Sequence, residues 1–366
     1  MKKIIPFLAL LSLLCTQPGF SQVDSLDNRY AVTDTQDVKV TLFDTDDLFD
    51  ISLKFDISYY KKVRSDVEYL DAVLIYYNDE KDSVIKNIKV KARGNIRRTS
   101  DICDFPPILL NFQVKDSAGA EFSGINKLKL VPYCRLGYED YILKEYLVYK
   151  LYNVLSDFSL KVRLFRVNYI NTSKEKKPIT QYGFAIEPIN LFEKRTKTKE
   201  ITAAGVTQRG IKPEVLDRLA LFNYMIGNTD WSVPVHHNAL AFAKENPSPD
   251  YQYLLLPYDF DYAGLVGTEY AIPFETLPIE TTKDRLYMAV CRSETEFINE
   301  LKEFVDKKDQ FYKVINDFPY LSARSKKDMI NYLEGFFSGI DKRNTMVNKL
   351  LKDCSWFEEQ ANLKIR

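Results

Sequence analysis

The 366-residue chain has no surplus of charge in either direction, since 51 Lys and Arg stand against 51 Asp and Glu. No field of one sign draws the whole molecule onto nucleic acid or an anionic membrane, so any charge-driven function must be local. Beyond residue 22 there is no apolar run long enough for a transmembrane helix. The cysteines form no CxxC pair, which argues against a zinc site. Internal repeats and low-complexity tracts are absent too. Histidine is scarce, with His236 and His237 the only two. Adjacent imidazoles invite a transition-metal reading, but neighbours in a strand face opposite sides and cannot easily share one ion. One of them is expected to pack or hydrogen-bond in a cleft wall and the other to face solvent, with a proton-relay role for either as the alternative.

What is present supports a folded protein. Hydrophobic residues make up 45% of the chain and aromatics 13%, ample for a substantial core in one large domain or two ordinary ones. The opening "MKKIIPFLALLSLLCTQPGFSQ" has two lysines, a short apolar stretch and then small and polar residues, the pattern of a cleaved secretory signal over residues 1–22. Export, to the periplasm or the extracellular space, is the expected destination. Four cysteines follow the signal: Cys103, Cys134, Cys291 and Cys354. In an oxidising compartment Cys103 and Cys134 are the first pair to expect, because both lie in one sheet-rich region, with buried free thiols as the alternative.

Strand-like alternation dominates the first part, in "VKVTLF", "DISLKFDI", "DAVLIYY", "IKNIKVKARGN", "PILLNFQV" and "NKLKLV". It reads as a mainly antiparallel sheet. The stretch "YEDYILKEYLVYKLYNVLSD" carries the first clear helical stripe, and "KVRLFRVNYI" and "TQYGFAIEPI" return to strands. Residues 190–212 are polar and weakly patterned, as a linker or mobile loop would be. Pro213 can open a helix that Gly227 is placed to end, and strands "NALAFAK" and "YQYLLLP" precede a helical C-terminal part. The expected architecture is α+β and two-lobed: a signal at 1–22, a sheet-rich lobe with one helix at 23–189, a linker at 190–212 and a mostly helical lobe at 213–366.

Acids inside apolar surroundings are the strongest chemical signal. "FNYMIGNTDWS" places Asp230 just past the end of a helix, and "LLLPYDFDYAGLV" sets Asp259 and Asp261 into another apolar run. An unpaired buried carboxylate costs several kcal/mol, so each needs a cation, a donor or a reaction to serve. In an extended segment Asp259 and Asp261 would point the same way and repel unless a cation sat between them. Oxygen ligands of this kind suit magnesium, manganese or calcium, and Asn238 can add a neutral oxygen.

"GNTDWSVPVHHN" followed by "LLLPYDFDYAGLV", with "KARGNIRR" and "YGFAIEPI" upstream, resembles the secreted CotH-type kinases, atypical relatives of the protein-kinase fold. The likeness runs in order over residues 89–266 and is specific at the Asp-containing motifs. It implies a kinase-like fold that binds ATP or another nucleotide with Mg2+ or Mn2+ and transfers a phosphoryl group, with a secreted or envelope protein as a possible substrate. By the same resemblance Asp230 is the catalytic-loop acid, Asn238 and Asp259 hold metal, Asp261 is a second metal-side acid, and Glu187 lies where the adenine is held. Lys129, or Lys127 of the same strand parity, would contact phosphates with Glu145 as ion-pair partner, and Arg93 would be a second phosphate contact. The usual glycine-rich cover is not evident, and the interval from Asp230 to Asn238 is longer than in ordinary kinases. Two other readings fit the acids: a non-catalytic, pseudokinase-like envelope or surface protein with a structural divalent cation, and a metal-dependent hydrolase. In the bland reading "GNIRR" is an ordinary turn with a basic edge.

Overall fold

The computed structural model describes residues 40–78, 80–112, 121–174, 177–203, 205–245, 247 and 252–365. The expected signal at residues 1–22 lies outside them. Of "VKVTLF", the described residues 40–43 are not in a strand, and Leu42 and Phe43 form a turn closed by the Asp44 N–H donating to the Thr41 carbonyl.

Seven strands close into a barrel: β1 (Phe49–Phe55), β2 (Leu70–Tyr77), β3 (Ser83–Ala92), β4 (Ile108–Phe112), β5 (Lys127–Val131), β6 (Val162–Asn171) and β7 (Ile179–Ile186), in the order β1-β2-β3-β4-β5-β7-β6. Neighbours are antiparallel except at the seam, where β1 runs parallel to β6 with Leu53 opposite Tyr169. Period-two alternation turns Ile51, Leu53 and Phe55 inward with Leu74, Val90, Leu110, Leu128, Leu130 and Val167, and the lumen is filled by side chains. The closed mixed barrel corrects the expected fold. The seam leaves no open antiparallel sheet, so the two-lobed kinase-like architecture with an open-sheet N-terminal lobe is not what this chain forms.

The outer faces of β6 and β7 are buried too. Val162, Leu164, Phe184 and Ile186 pack there against α2 (Glu139–Leu155), with Tyr146 and Tyr149 in ring contact with Phe184. This second core continues through α4 (Pro213–Ile226), α5 (Glu294–Asn316), α6 (Ala323–Asp341) and α7 (Arg343–Ile365). It also takes in a three-stranded sheet of β8 (Thr198–Ile201), β9 (Ala239–Lys244) and β10 (Leu254–Pro257), in the order β10-β9-β8. The expected linker at 190–212 is structured: it holds most of α3 (Ile189–Thr196), all of β8 and a 3₁₀ turn at Gln208–Gly210. Between α1 (Ile57–Val63), beside the barrel, and α7 at the far end, α4 begins at Pro213 and ends at Gly227 as its sequence indicates. Gly227 has φ +67°, and a Cβ there would lie 2.0 Å from the Tyr332 hydroxyl, so the position requires glycine twice over. Both expected and remaining cysteines pair, as Cys103–Cys134 and Cys291–Cys354.

Candidate functional site

Four chain segments deliver charge to one place. The turn after β3 brings Arg97, α2 brings Glu145, the loop after α4 brings Asp230, and the loop after β10 brings Asp259 and Asp261. Arg97 is the hub. Its Nη2 donates to Glu145 Oε2 at 2.7 Å, its Nε to Asp261 Oδ2 at 2.9 Å, and Asp259 Oδ1 lies 3.6 Å from Nη2. Arg97 and Glu145 are both buried. Tyr270 donates its hydroxyl to the same Asp261 oxygen at 2.9 Å. Arg97 Nη1 and Glu145 Oε1 are buried with no hydrogen-bond partner among the described residues.

The arithmetic of this cluster governs its protonation. One guanidinium faces three carboxyl groups, and buried like charges resist joint ionisation. Burial pushes Glu145 up to about 8, with Arg97 opposing and the charges of Asp261 and Asp259 adding to the rise. Asp259 keeps 46% of its side-chain surface open, yet enclosure of its carboxyl, with the charge of Asp261, raises it to about 6 against Arg97 and Arg93. Burial works against the charge on Arg97 itself, and the acids outweigh it, so the guanidinium stays ionised. The cluster as a whole therefore holds a proton near neutral pH.

Asp259 and Asp261 do not share a side in the way an extended segment would impose. β10 stops at Pro257, Asp259 takes a left-handed conformation with φ +57°, and its N–H donates to the Tyr149 hydroxyl at 2.9 Å. Asp261 is buried against Arg97, while the Asp259 side chain stays 46% exposed. The two remain within electrostatic reach of each other and of Asp230.

Asp230 is held from three directions. Its N–H donates to Asn228 Oδ1, whose amide in turn donates to Asn223 Oδ1. Asn238 Nδ2 donates to the Asp230 carbonyl at 2.7 Å and to Oδ2 at 3.0 Å, while His237 Nε2 meets Oδ1 at 2.7 Å. His236 and Asn238 both have positive φ, 52° and 51°, in the turn that returns the chain to β9. His236 thus sits in a turn that His237 closes by an isolated antiparallel bridge to Ser232, in place of the strand expected. His237 bonds in the site wall, and His236 Nε2 is buried without a partner among the described residues.

The residues expected from sequence divide accordingly. Asp230, Asp259, Asp261, Glu145 and Arg93 come together, Arg93 acting on Asp259 through its charge. Asn238 is present but serves Asp230 through its amide nitrogen. Lys129 lies on β5 opposite Leu109 and Ile186, on the strand face of Val131 that packs toward the helical core, and Lys127 shares that face. The cation bonded to Glu145, the place expected for Lys129 or Lys127, is Arg97. Glu187 is a structural tie: its carboxylate takes a two-nitrogen grip from Arg195 and the Lys161 N–H, and its own N–H donates to the Lys161 carbonyl. Arg97, Tyr270 and Tyr149 are the site residues that the sequence reading passed over, while His237 is the histidine that hydrogen-bonds in the wall. The signal for Arg97 was there, because buried acids demand a cation and "RGNIRR" supplies three arginines at the end of a strand.

Among the described residues no group of three or more His, Cys, Asp or Glu side chains is arranged to hold an ion. Arg97 is the counter-ion that Asp261 already has, and Asn238 bonds Asp230 through Nδ2, which leaves its Oδ1 as the neutral oxygen. A magnesium ion carried by phosphates needs only one or two carboxylates, and the partly exposed Asp259 fits that smaller demand. No family model matches the chain, and a comparison with curated proteins finds no match.

Proposed function

We propose that the protein binds a nucleoside triphosphate with Mg2+ or Mn2+ and transfers its terminal phosphoryl group to a hydroxyl. The observation that carries this reading is the buried Arg97–Glu145 pair, bonded also to Asp261 and set beside Asp259 and the loop acid Asp230. Phosphoryl transfer asks the protein chiefly for positioning and for compensation of spread negative charge. Arg97 sets its guanidinium 3.6 Å from the partly exposed Asp259 carboxylate, and the charge of Arg93 acts on the same acid, so positive charge stands beside it to meet phosphate. Asp259 would hold the divalent ion, which supplies charge neutralisation between phosphate oxygens. Asp230 and its supports orient the acceptor. Two disulfides and the signal-like N-terminus support an exported protein acting in the periplasm or outside the cell, with a secreted or envelope protein as substrate.

A second reading has its own support. Arg97 already balances Asp261 and Glu145, so the cluster can hold together as a non-catalytic binding site with no nucleotide at all. Thermal-shift titration with ATP, ADP and GTP, with and without Mg2+ or Mn2+, separates the two. Stabilisation that needs nucleotide and metal together, and disappears in Asp259→Ala, favours phosphotransfer. Equal stabilisation by Ca2+ alone favours the binding protein.

A further inference from the structure

The acceptor side of the site carries one more assignment, which rests on the phosphotransfer reading and deepens it. We propose that His237 is the base that takes the proton of the acceptor hydroxyl, with Asp230 a positioning residue behind it. Asp230 keeps only 13% of its side-chain surface open, and each of its oxygens already accepts a hydrogen bond, from His237 on Oδ1 and from Asn238 on Oδ2. His237 keeps 42% open. A carboxylate can only accept, so the 2.7 Å contact places the ring proton on Nε2 and leaves the lone pair on Nδ1. Nδ1 makes no hydrogen bond among the described residues. The accessible basic atom of the pair is therefore on the imidazole, and the acid fixes its tautomer and orientation, as in a triad.

In the step itself the acceptor O–H bond breaks and its proton passes to His237 Nδ1. The oxygen's electron pair forms the new bond to the terminal phosphorus. The bond from that phosphorus to the bridging oxygen breaks, and the nucleoside diphosphate leaves with its electrons. The imidazolium so formed faces the Asp230 carboxylate. Burial disfavours the ring's charge, but the hydrogen bond and charge of Asp230, with the charges of Asp259 and Asp261, outweigh it and raise its pKa. His236, the other histidine, has a buried Nε2 and no such partner.

With only two histidines in the chain, nitrogen-labelled histidine NMR resolves the ring directly, and His236→Asn assigns the signals. The expected His237 is an Nε2–H tautomer titrating above the ordinary histidine range, its pKa falling in Asp230→Asn. Titration indifferent to Asp230→Asn overturns the pairing. Hydrolysis of ATP, with water as acceptor, then tests the role. His237→Gln should lower kcat by about 10²–10⁴-fold and remove the acid limb of its pH profile, with the nucleotide KM nearly unchanged. An unaltered kcat and pH profile overturn the base assignment while leaving phosphotransfer standing. Wild-type protein inert toward every nucleotide overturns phosphotransfer, and the acceptor role with it, even where the titration upholds the pairing.

Discussion

Arg97 holds one positive charge against three carboxyl groups, and removing it leaves Glu145 and Asp261 buried without their cation. Arg97→Met should cost about 3–5 kcal/mol, the range for breaking a buried ion pair, measured as a shift in the urea unfolding midpoint at pH 7. Glu145 gives a second prediction, with the opposite feel. Its folded-state pKa, about 8, lies above its unfolded value near 4.3, so the folded protein holds the extra proton between those limits. Stability contributed by this group is present below the unfolded pKa and is lost as pH rises toward 8. Glu145→Gln, which keeps the neutral form at all pH, should flatten that decline, and unchanged pH dependence would show that the proton resides elsewhere. Asp259 and Asp261 were legible because carboxylates stand out in apolar runs, whereas Glu145 was reached only through the family resemblance. Their counter-ion was not, because Arg97 reaches Asp261 across 164 residues of sequence and only the fold brings them together.

At the scale of elements, the helix from Pro213 to Gly227 was readable from both ends, since the start needs no N–H and the end needs a left-handed residue. Gly227→Ala should destabilise by more than the roughly 1 kcal/mol of the backbone term alone, because its Cβ meets the Tyr332 hydroxyl and ring. Tyr332→Ala in the same chain should recover part of the loss in a thermal melt, and no recovery would point to the backbone alone. Two elements hid from the sequence for physical reasons. α3 has only 8 residues and buries only Phe192, and β8 has only 4 and buries only Thr198, so each is too short to show its period. The Asp259 conformation was hidden as well: alternation past Pro257 suggested continuing strand, whereas a left-handed residue, fixed by the Tyr149 hydroxyl, ends it. That turn decides which acid faces outward, and so which one can meet a ligand's metal.

Across the whole molecule, the strands of the barrel were legible one by one and their closure was not. The seam pairs β1 with β6, over a hundred residues apart, and local alternation carries no information about such a partner. A closed barrel leaves Arg97 on a connection that must be fastened from outside. The buried Cys103–Cys134 disulfide does this by joining the segment after Arg97 to the chain just past β5. Replacing both cysteines by Ala should cost about 3–4 kcal/mol on the chain-entropy model for a loop of 31 residues, read from urea unfolding of the oxidised proteins. Nucleotide affinity should fall in the same variant if the Arg97 turn holds phosphate, and stay level if it does not. The most direct measurement of the central proposal is release of nucleoside diphosphate from ATP with Mg2+ or Mn2+, compared between the natural chain and Asp259→Ala. Turnover by the natural chain that the substitution abolishes is the predicted result, and no turnover, or equal turnover in both, would contradict it.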